Sequence, residues 1–193
     1  IEILKESVSK YMVTPGGYCP GGERDGAIKM VADLWMADPR KYEFRDQYRS
    51  RDNIKAHVET TGPEFWNQTN GEITHLVLAP GTGGTIIGSA RYLKSQNPEI
   101  KIITVQPQRD HKIQGVRNFE ESMKSIIFSD NEDLIDDWVH VGDKEAFQAV
   151  EGLWNNRYPV GFSSGLNYAA AKKIAKKEEN AVIATLFPAN GRG

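Results

Sequence analysis

The chain has 193 residues, 39% of them hydrophobic and 26% charged, and its 24 Lys plus Arg stand against 26 Asp plus Glu, a net charge of −2. That mixture builds an ordinary core and gives no electrostatic reason to expect nucleic acid or an anionic membrane as the main partner. A single cysteine, Cys19, excludes an internal disulfide framework and a cysteine-rich metal site, and a reducing cytoplasm is the natural compartment.

Residues 2–10 read as a helix and Tyr11–Thr14 as a short strand ended by Pro15-Gly16-Gly17. Asp25 is placed to cap a helix over roughly 26–37, with Ala27, Met30, Val31 and Leu34 at the spacing of one buried stripe and Asp38-Pro39 as its stop. A short strand near Glu43–Gln47 follows, then a helix from about Asp52 through Trp66. Thr74–Ala79 is a nearly continuous apolar run bounded by Pro80-Gly81, the pattern of a strand buried on both faces. A helix over about 84–96 and a second buried strand, Ile102–Val105, come next. An irregular stretch at 108–134 precedes a strand around Trp138–Val141. Helices at about 143–156 and 164–177 lead to a last strand, Val182–Leu186, closed by Pro188. Strands separated by helices imply βαβ units, so the fold class is α/β, a parallel sheet with helices on both faces.

The most informative local feature is Gly81-Thr82-Gly83-Gly84-Thr85, between a buried strand and a helix. In an open parallel sheet, ligands bind beyond the carboxyl ends of the strands, where this loop falls. Three glycines remove the Cβ atoms that would obstruct backbone N–H groups, the helix start supplies unpaired donors, and two threonines add hydroxyls. Together they form a phosphate cup; a tight turn that binds nothing is the plainer alternative. The dinucleotide fingerprint fails, because position 86 is Ile86 rather than glycine and the next strand ends in Gln106-Pro107 instead of an acid. The P-loop pattern fails for want of a lysine after Gly84. A cup without lysine suits one terminal phosphate monoester.

Gly161-Phe162-Ser163-Ser164-Gly165 matches the G-x-S-x-G nucleophile elbow in form only, since no histidine follows His140. Ser163 or Ser164 is expected instead to cap a helix at 166–177 whose Leu166, Ala169, Ala170 and Ile174 face the core. His57, His75, His111 and His140 are scattered without metal-ligand spacing and read as surface or packing residues, so no metal is assigned. Trp35, Trp66, Trp138 and Trp154 read as core or partly buried anchors.

Taken as one unit, Asn53 to Trp66, with Ala56-His57 and Glu59-Thr60-Thr61-Gly62-Pro63-Glu64, followed by Thr74-His75 and Gly81–Thr85, resembles the cysteine synthase group of pyridoxal-phosphate enzymes. This is the β-family, of fold type II, that includes cystathionine β-synthase and the tryptophan synthase β chain. Asp25-Gly26-Ala27-Ile28, Gln47-Tyr48, His111-Lys112-Ile113-Gln114-Gly115, Gly161–Gly165 and Phe187-Pro188 extend the resemblance through essentially the whole chain. It implies pyridoxal 5'-phosphate as cofactor, its phosphate held by Gly81, Thr82, Gly83, Gly84 and Thr85, with Gly161 beside its ring and Gln47 near the substrate carboxylate. The implied activity is β-replacement, in which an O-activated serine, O-acetylserine or O-phosphoserine, and sulfide give L-cysteine. The cofactor provides the electron sink and the protein orientation and electrostatics. A homodimer is implied too, with residues 1–46 finishing a smaller N-terminal domain and 47–193 forming the larger cofactor domain.

The sequence departs from that family at both ends. The Schiff-base lysine of the family lies in an N-terminal region, ahead of an asparagine-containing substrate loop, and neither motif occurs here, so no catalytic residue is assigned. With Ile1 first, the expectation is a piece of a longer protein that presents the phosphate cup without the covalent nucleophile and is inactive by itself. Many relatives carry a serine facing the pyridine nitrogen after the last strand's proline. Here Phe187-Pro188-Ala189-Asn190-Gly191 has no hydroxyl, so either Asn190 serves as a neutral partner or the contact is lost. The rival expectation is a non-catalytic truncated relative that acts as a phosphate-binding or interaction module.

Overall fold

A computed structural model describes residues 26–191. The expected helix at 2–10, the strand at 11–14, the Asp25 cap and Cys19 lie outside the described residues. The chain divides into two units, Ile1–Arg45 and Asp46–Gly193.

In the first unit, helix α1 (Gly26–Ala37) ends before Asp38-Pro39, as the proline requires. Its buried residue is Ala32; Val31, expected in a buried stripe, is exposed, and so is Trp35. Lys29 and Asp33, one turn apart, pair at 2.6 Å, a fraction of a kcal/mol at an exposed site. The strand expected near Glu43–Gln47 does not form. Arg45 Nε donates to Glu43 Oε1 at 2.8 Å, and beyond the unit boundary Asp46 makes a turn of its own, with Tyr48 N donating to Asp46 Oδ1 at 3.0 Å and Ser50 N to Asp46 O at 2.9 Å. An aspartate side chain that captures nearby N–H groups competes with ladder formation.

The second unit contains the sheet: β1 (His75–Leu78), β2 (Lys101–Pro107), β3 (Asp137–Val141) and β4 (Ile183–Ala184), in the order β3-β2-β1-β4. Every pairing is parallel, with Leu76 opposite Ile102, Val77 opposite Ile103, and Val105 opposite Val139. Strand side chains alternate between faces. Leu76, Leu78 and Ile102 therefore pack with Ile86, Ile87, Ala90 and Leu93 on one side, while Val77, Ile103 and Val105 pack with Ala146, Leu166, Ala170 and Ile174 on the other. Helices α2 (Arg51–Glu59), α3 (Thr61–Gln68) and α4 (Gly84–Gln96) cover the first face; α6 (Asp143–Asn155) and α7 (Phe162–Ala175) cover the second. Apolar runs without alternation are what two covered faces demand, and each such residue contributes about 1.5–3 kcal/mol of burial. A short helix α5 (Ile126–Ser129) and a 3-10 turn at Glu132–Leu134 lie within the stretch read as irregular.

Three further expectations are corrected. The single helix expected from Asp52 to Trp66 breaks at Thr60 (φ −126°, ψ −71°). Had it continued, Pro63 would lack the N–H for Glu59 O and its ring would strike that carbonyl; in the first turn of α3 it is tolerated. The last strand shrinks to two residues because side chains take over its ladder: Thr185 Oγ1 donates to Val77 O at 2.7 Å and Asn167 Nδ2 to Leu186 O at 2.9 Å. Trp154 is exposed, yet its Nε1 donates to Val160 O at 2.8 Å.

Candidate functional site

Because all four strands run the same way, their carboxyl ends share one edge of the sheet. Gly81, Thr82, Gly83 and Thr85 after β1, Gln114 and Gly115 after β2, Ser163 and Asn167 of α7, and Pro188-Ala189 after β4 converge there on a cleft of about 470 Å³. Among the described residues, no ionisable side chain lines it.

The glycines of the loop are dictated by space. Gly83 sits at φ +88°, where a side chain is strained, and a Cβ there would stand 3.0 Å from Phe128 Cβ. A Cβ on Gly81 would stand 2.9 Å from Gly115 O, and one on Gly84 would fall 2.0 Å from Asn53 Oδ1. Gly83 is also the N-cap of α4 and provides no capping side chain, so the first-turn N–H groups lack the usual oxygen acceptor. Gly84 N reaches Thr82 Oγ1 only at 3.3 Å. A helix start left uncapped beside a cleft favours an anion through its free donors and its dipole.

Three side chains from outside the loop hold it. Asn53 Nδ2 donates to Thr82 Oγ1 at 3.1 Å and to Gln47 O at 2.7 Å. Ser125 Oγ, ahead of α5, donates to Thr82 O. His57 joins two hydroxyls, with Nε2 3.1 Å from Thr85 Oγ1 and Nδ1 2.8 Å from Thr61 Oγ1. A neutral imidazole has one donor and one acceptor nitrogen and can serve both threonines. Burial pushes the His57 pKa below its ordinary 6.5 and so favours that neutral form. Behind the loop, Asn167, almost wholly buried, accepts from Ala79 N at 2.8 Å and thereby ties the end of β1 to α7.

The expected site residues divide into three places. Gly81, Thr82, Gly83 and Thr85 face the cleft, while Gly84 packs behind it against Asn53. Gly161 and Asn190 line an adjoining hollow of about 670 Å³ that shares Gln114, Ser163 and Ala189 with the cleft. There Val160 and Asn190 form an antiparallel bridge, and Gly161 N donates to Ala189 O at 2.8 Å; a Cβ on Gly161 would meet Ala189 Cβ at 2.7 Å. Gln47 lies in an exposed turn and lines neither space, although its carbonyl is one side chain away from Thr82. Ser163 and Ser164 do not cap a helix at 166. α7 already starts at Phe162 with Gly161 as N-cap, and Ser164 Oγ instead donates to Ala189 O at 2.9 Å and accepts from Ala189 N at 3.1 Å. Among the described residues, no group of three or more His, Cys, Asp or Glu could hold a metal ion, and no helix is long and apolar enough to cross a membrane.

Asn53, His57 and Ser125 were not assigned to the site by sequence reasoning. Asn53 and His57 fall inside the segment that carries the family resemblance, but their contacts reach 29 and 28 residues along the chain, which no local spacing reveals.

Comparison with known proteins accounts for this architecture. Residues 7–188 match the family described as pyridoxal-phosphate dependent enzymes, and the chain belongs to that family. It is 44% identical over 173 residues to cysteine synthase of Aquifex aeolicus (strain VF5), covering 86% of this chain and 52% of that protein. It is 37% identical over 161 residues to cysteine synthase B of Pseudomonas aeruginosa (79% and 52%). Among solved structures, the O-acetylserine dependent cystathionine β-synthase of Helicobacter pylori superposes with a TM-score of 0.78 at 30% identity, over 86% of this chain and 56% of that one. The chain thus spans about half the length of the curated relatives it matches.

The cofactor of the family is pyridoxal phosphate, and the cleft suits its phosphate ester. A Cβ at Gly81 would stand against Gly115 O at the cleft wall, hydroxyls of Thr82 and Thr85 stand beside uncapped amides, and among the described residues no carboxylate lines the cleft.

Proposed function

We propose that this chain is the cofactor-phosphate-binding part of an enzyme that forms L-cysteine by β-replacement, from O-acetylserine or O-phosphoserine and sulfide. The observation that carries the reading is the uncapped start of α4 behind a glycine cradle, in a cleft that, among the described residues, no carboxylate lines. The cysteine synthase relatives support the same reaction class.

In this reading the amides of the Gly81–Thr85 loop and the hydroxyls of Thr82 and Thr85 take the phosphate. Asn53 orients the Thr82 hydroxyl and His57 that of Thr85, so the donors are set before the ligand arrives, which reduces the ordering cost of binding. Bound there, pyridoxal phosphate supplies the electron sink for loss of the α-proton and the β-substituent. Gly161 leaves room for the flat ring where a side chain would collide with Ala189, and Asn190 provides a neutral partner for its nitrogen. Gln47, in its exposed turn, contacts the substrate carboxylate. We further assign residues 1–46 to the end of a smaller domain and 47–193 to the larger one, with the whole protein a cytoplasmic homodimer.

The test uses the full-length protein containing this chain, with pyridoxal phosphate, each activated serine and sulfide. L-Cysteine should accumulate with at least one of them, and no turnover with either would refute the proposed reaction. Gly83→Asp should weaken pyridoxal phosphate binding at least about a hundredfold, because a side chain is strained at its φ of +88° and meets buried Phe128, which displaces the loop amides that take the phosphate. Equilibrium titration of the cofactor's absorbance checks this, and unchanged affinity would remove the phosphate assignment.

A further inference from the structure

On the helical face of the second unit lies another pocket, of about 700 Å³, that shares no lining residue with the cofactor cleft. Its floor is aliphatic: Ile54 and Val58 of α2, Ile126 and Ile127 of α5. Among the described lining residues four cations, Arg49, Arg51, Lys55 and Arg91, stand with one carboxylate, Asp130, and Asp46 and Glu59 just outside the lining offset part of that excess. The cations are weakly committed. Arg51 has no ion-pair partner among the described residues; Lys55 stands 3.7 Å from Glu59 in a loose exposed pair that holds little energy, and Arg49, itself exposed, stands 3.6 Å from the more buried Asp46. Arg91 donates through Nη2 to Asn131 Oδ1. That contact aligns one edge of its guanidinium and leaves the remaining N–H donors for another acceptor.

We propose that this pocket is a second anion site, which takes a small organic phosphate monoester. The excess of cations over carboxylates favours an anion, and guanidinium forks match phosphate oxygens in pairs. The four aliphatic residues would be wasted on a bare ion but cover the carbon body of an ester. The volume lies in the range of small-molecule sites, and a concave pocket of this size does not offer the extended track that an acidic peptide needs.

Isothermal titration calorimetry of the full chain at low ionic strength, with inorganic phosphate, AMP and an octaglutamate peptide as probes, tests the proposal. AMP should bind saturably and roughly tenfold or more tighter than phosphate, since burying its body adds apolar contact. The double variant Arg51→Glu, Lys55→Gln should lose at least about tenfold in AMP affinity. A glutamate at the first position of α2 favours the helix dipole, and an unchanged melting temperature shows that the fold is retained. Thr85→Val, which removes a hydroxyl of the cofactor loop at a residue outside the pocket lining, should keep the AMP affinity within about twofold, so failure of the cofactor assignment and failure of this one are told apart. Binding should also weaken as salt is raised, as for exposed charges screened within about 8 Å at physiological ionic strength. Absence of AMP binding, AMP no tighter than phosphate, octaglutamate tighter than AMP, or a loss caused by Thr85→Val instead of the double variant would each overturn the proposal.

Discussion

At Thr85 the side chain faces a ligand cleft on one side and His57 on the other, and the imidazole passes the contact on to Thr61. The burial that keeps His57 neutral has a measurable effect on stability. Its folded pKa lies below the unfolded value of about 6.5, so within that window the unfolded chain binds more protons. The stabilisation is complete above pH 6.5 or so and is lost as pH falls from there through the lower folded pKa. Replacing the ring by an uncharged amide, His57→Gln, should flatten the stability curve between about pH 7 and 5 relative to the parent. Urea unfolding at a series of pH values measures this, and identical slopes would show that His57 is not held neutral. The turn at Gly81–Thr85 was legible at this scale because a tight passage from strand to helix, with Gly83 at a φ of +88°, leaves few alternatives to glycine. His57 was read as a surface or packing residue because a single histidine in a helix carries no signature of the threonine it will meet 28 positions later.

Elements are joined around the cleft by buried amides more than by ladder bonds. Asn167 takes the Ala79 N–H with one end and gives an N–H to Leu186 O with the other, which fastens α7 to both the end of β1 and the chain after β4. Asn167→Leu would leave the half-buried Ala79 N–H and Leu186 carbonyl without these partners. We expect a loss of about 2–4 kcal/mol, read as a lower urea midpoint at constant slope. A change under 0.5 kcal/mol or so would mean that these groups find other partners. The strands β1 and β2 were legible as apolar runs, since coverage on both faces selects against polar residues. The termini of elements were less so. Gly161 rather than a serine starts α7, because the hydroxyl of Ser164 is engaged with Ala189, and β4 contracts because Thr185 and Asn167 offer side-chain substitutes for its ladder. Such substitutions are decided by partners 19 to 108 residues away. The break at Thr60 is the exception, since Pro63 announces it locally.

For the molecule as a whole, a ligand that binds only the folded state must shift the folding equilibrium. Pyridoxal phosphate at about a hundred times its dissociation constant should stabilise the full chain by about 2.7 kcal/mol, a rise in melting temperature of roughly 5–10 °C for a domain of this size. Calorimetric scans with and without the ligand check this, and the gain should vanish in Gly83→Asp. The α/β class and the parallel sheet were legible from the alternation of apolar runs with helical segments, whereas the pocket with four cations was not, because α2, α4 and α5 bring its lining together from residues 49 to 131. A sheet with only parallel neighbours has no hairpin to start from, and its central strand β1 waits for β4, whose flanking Thr185 meets Val77 across 108 residues. At the ribosome, that separation corresponds to a delay on the order of 5–20 s between emergence of the two strands. Throughout it one edge of β1 presents bare N–H and C=O groups, so a nascent chain of this topology depends on a chaperone, or on slow elongation downstream of Leu78, to keep that edge from pairing with another polypeptide.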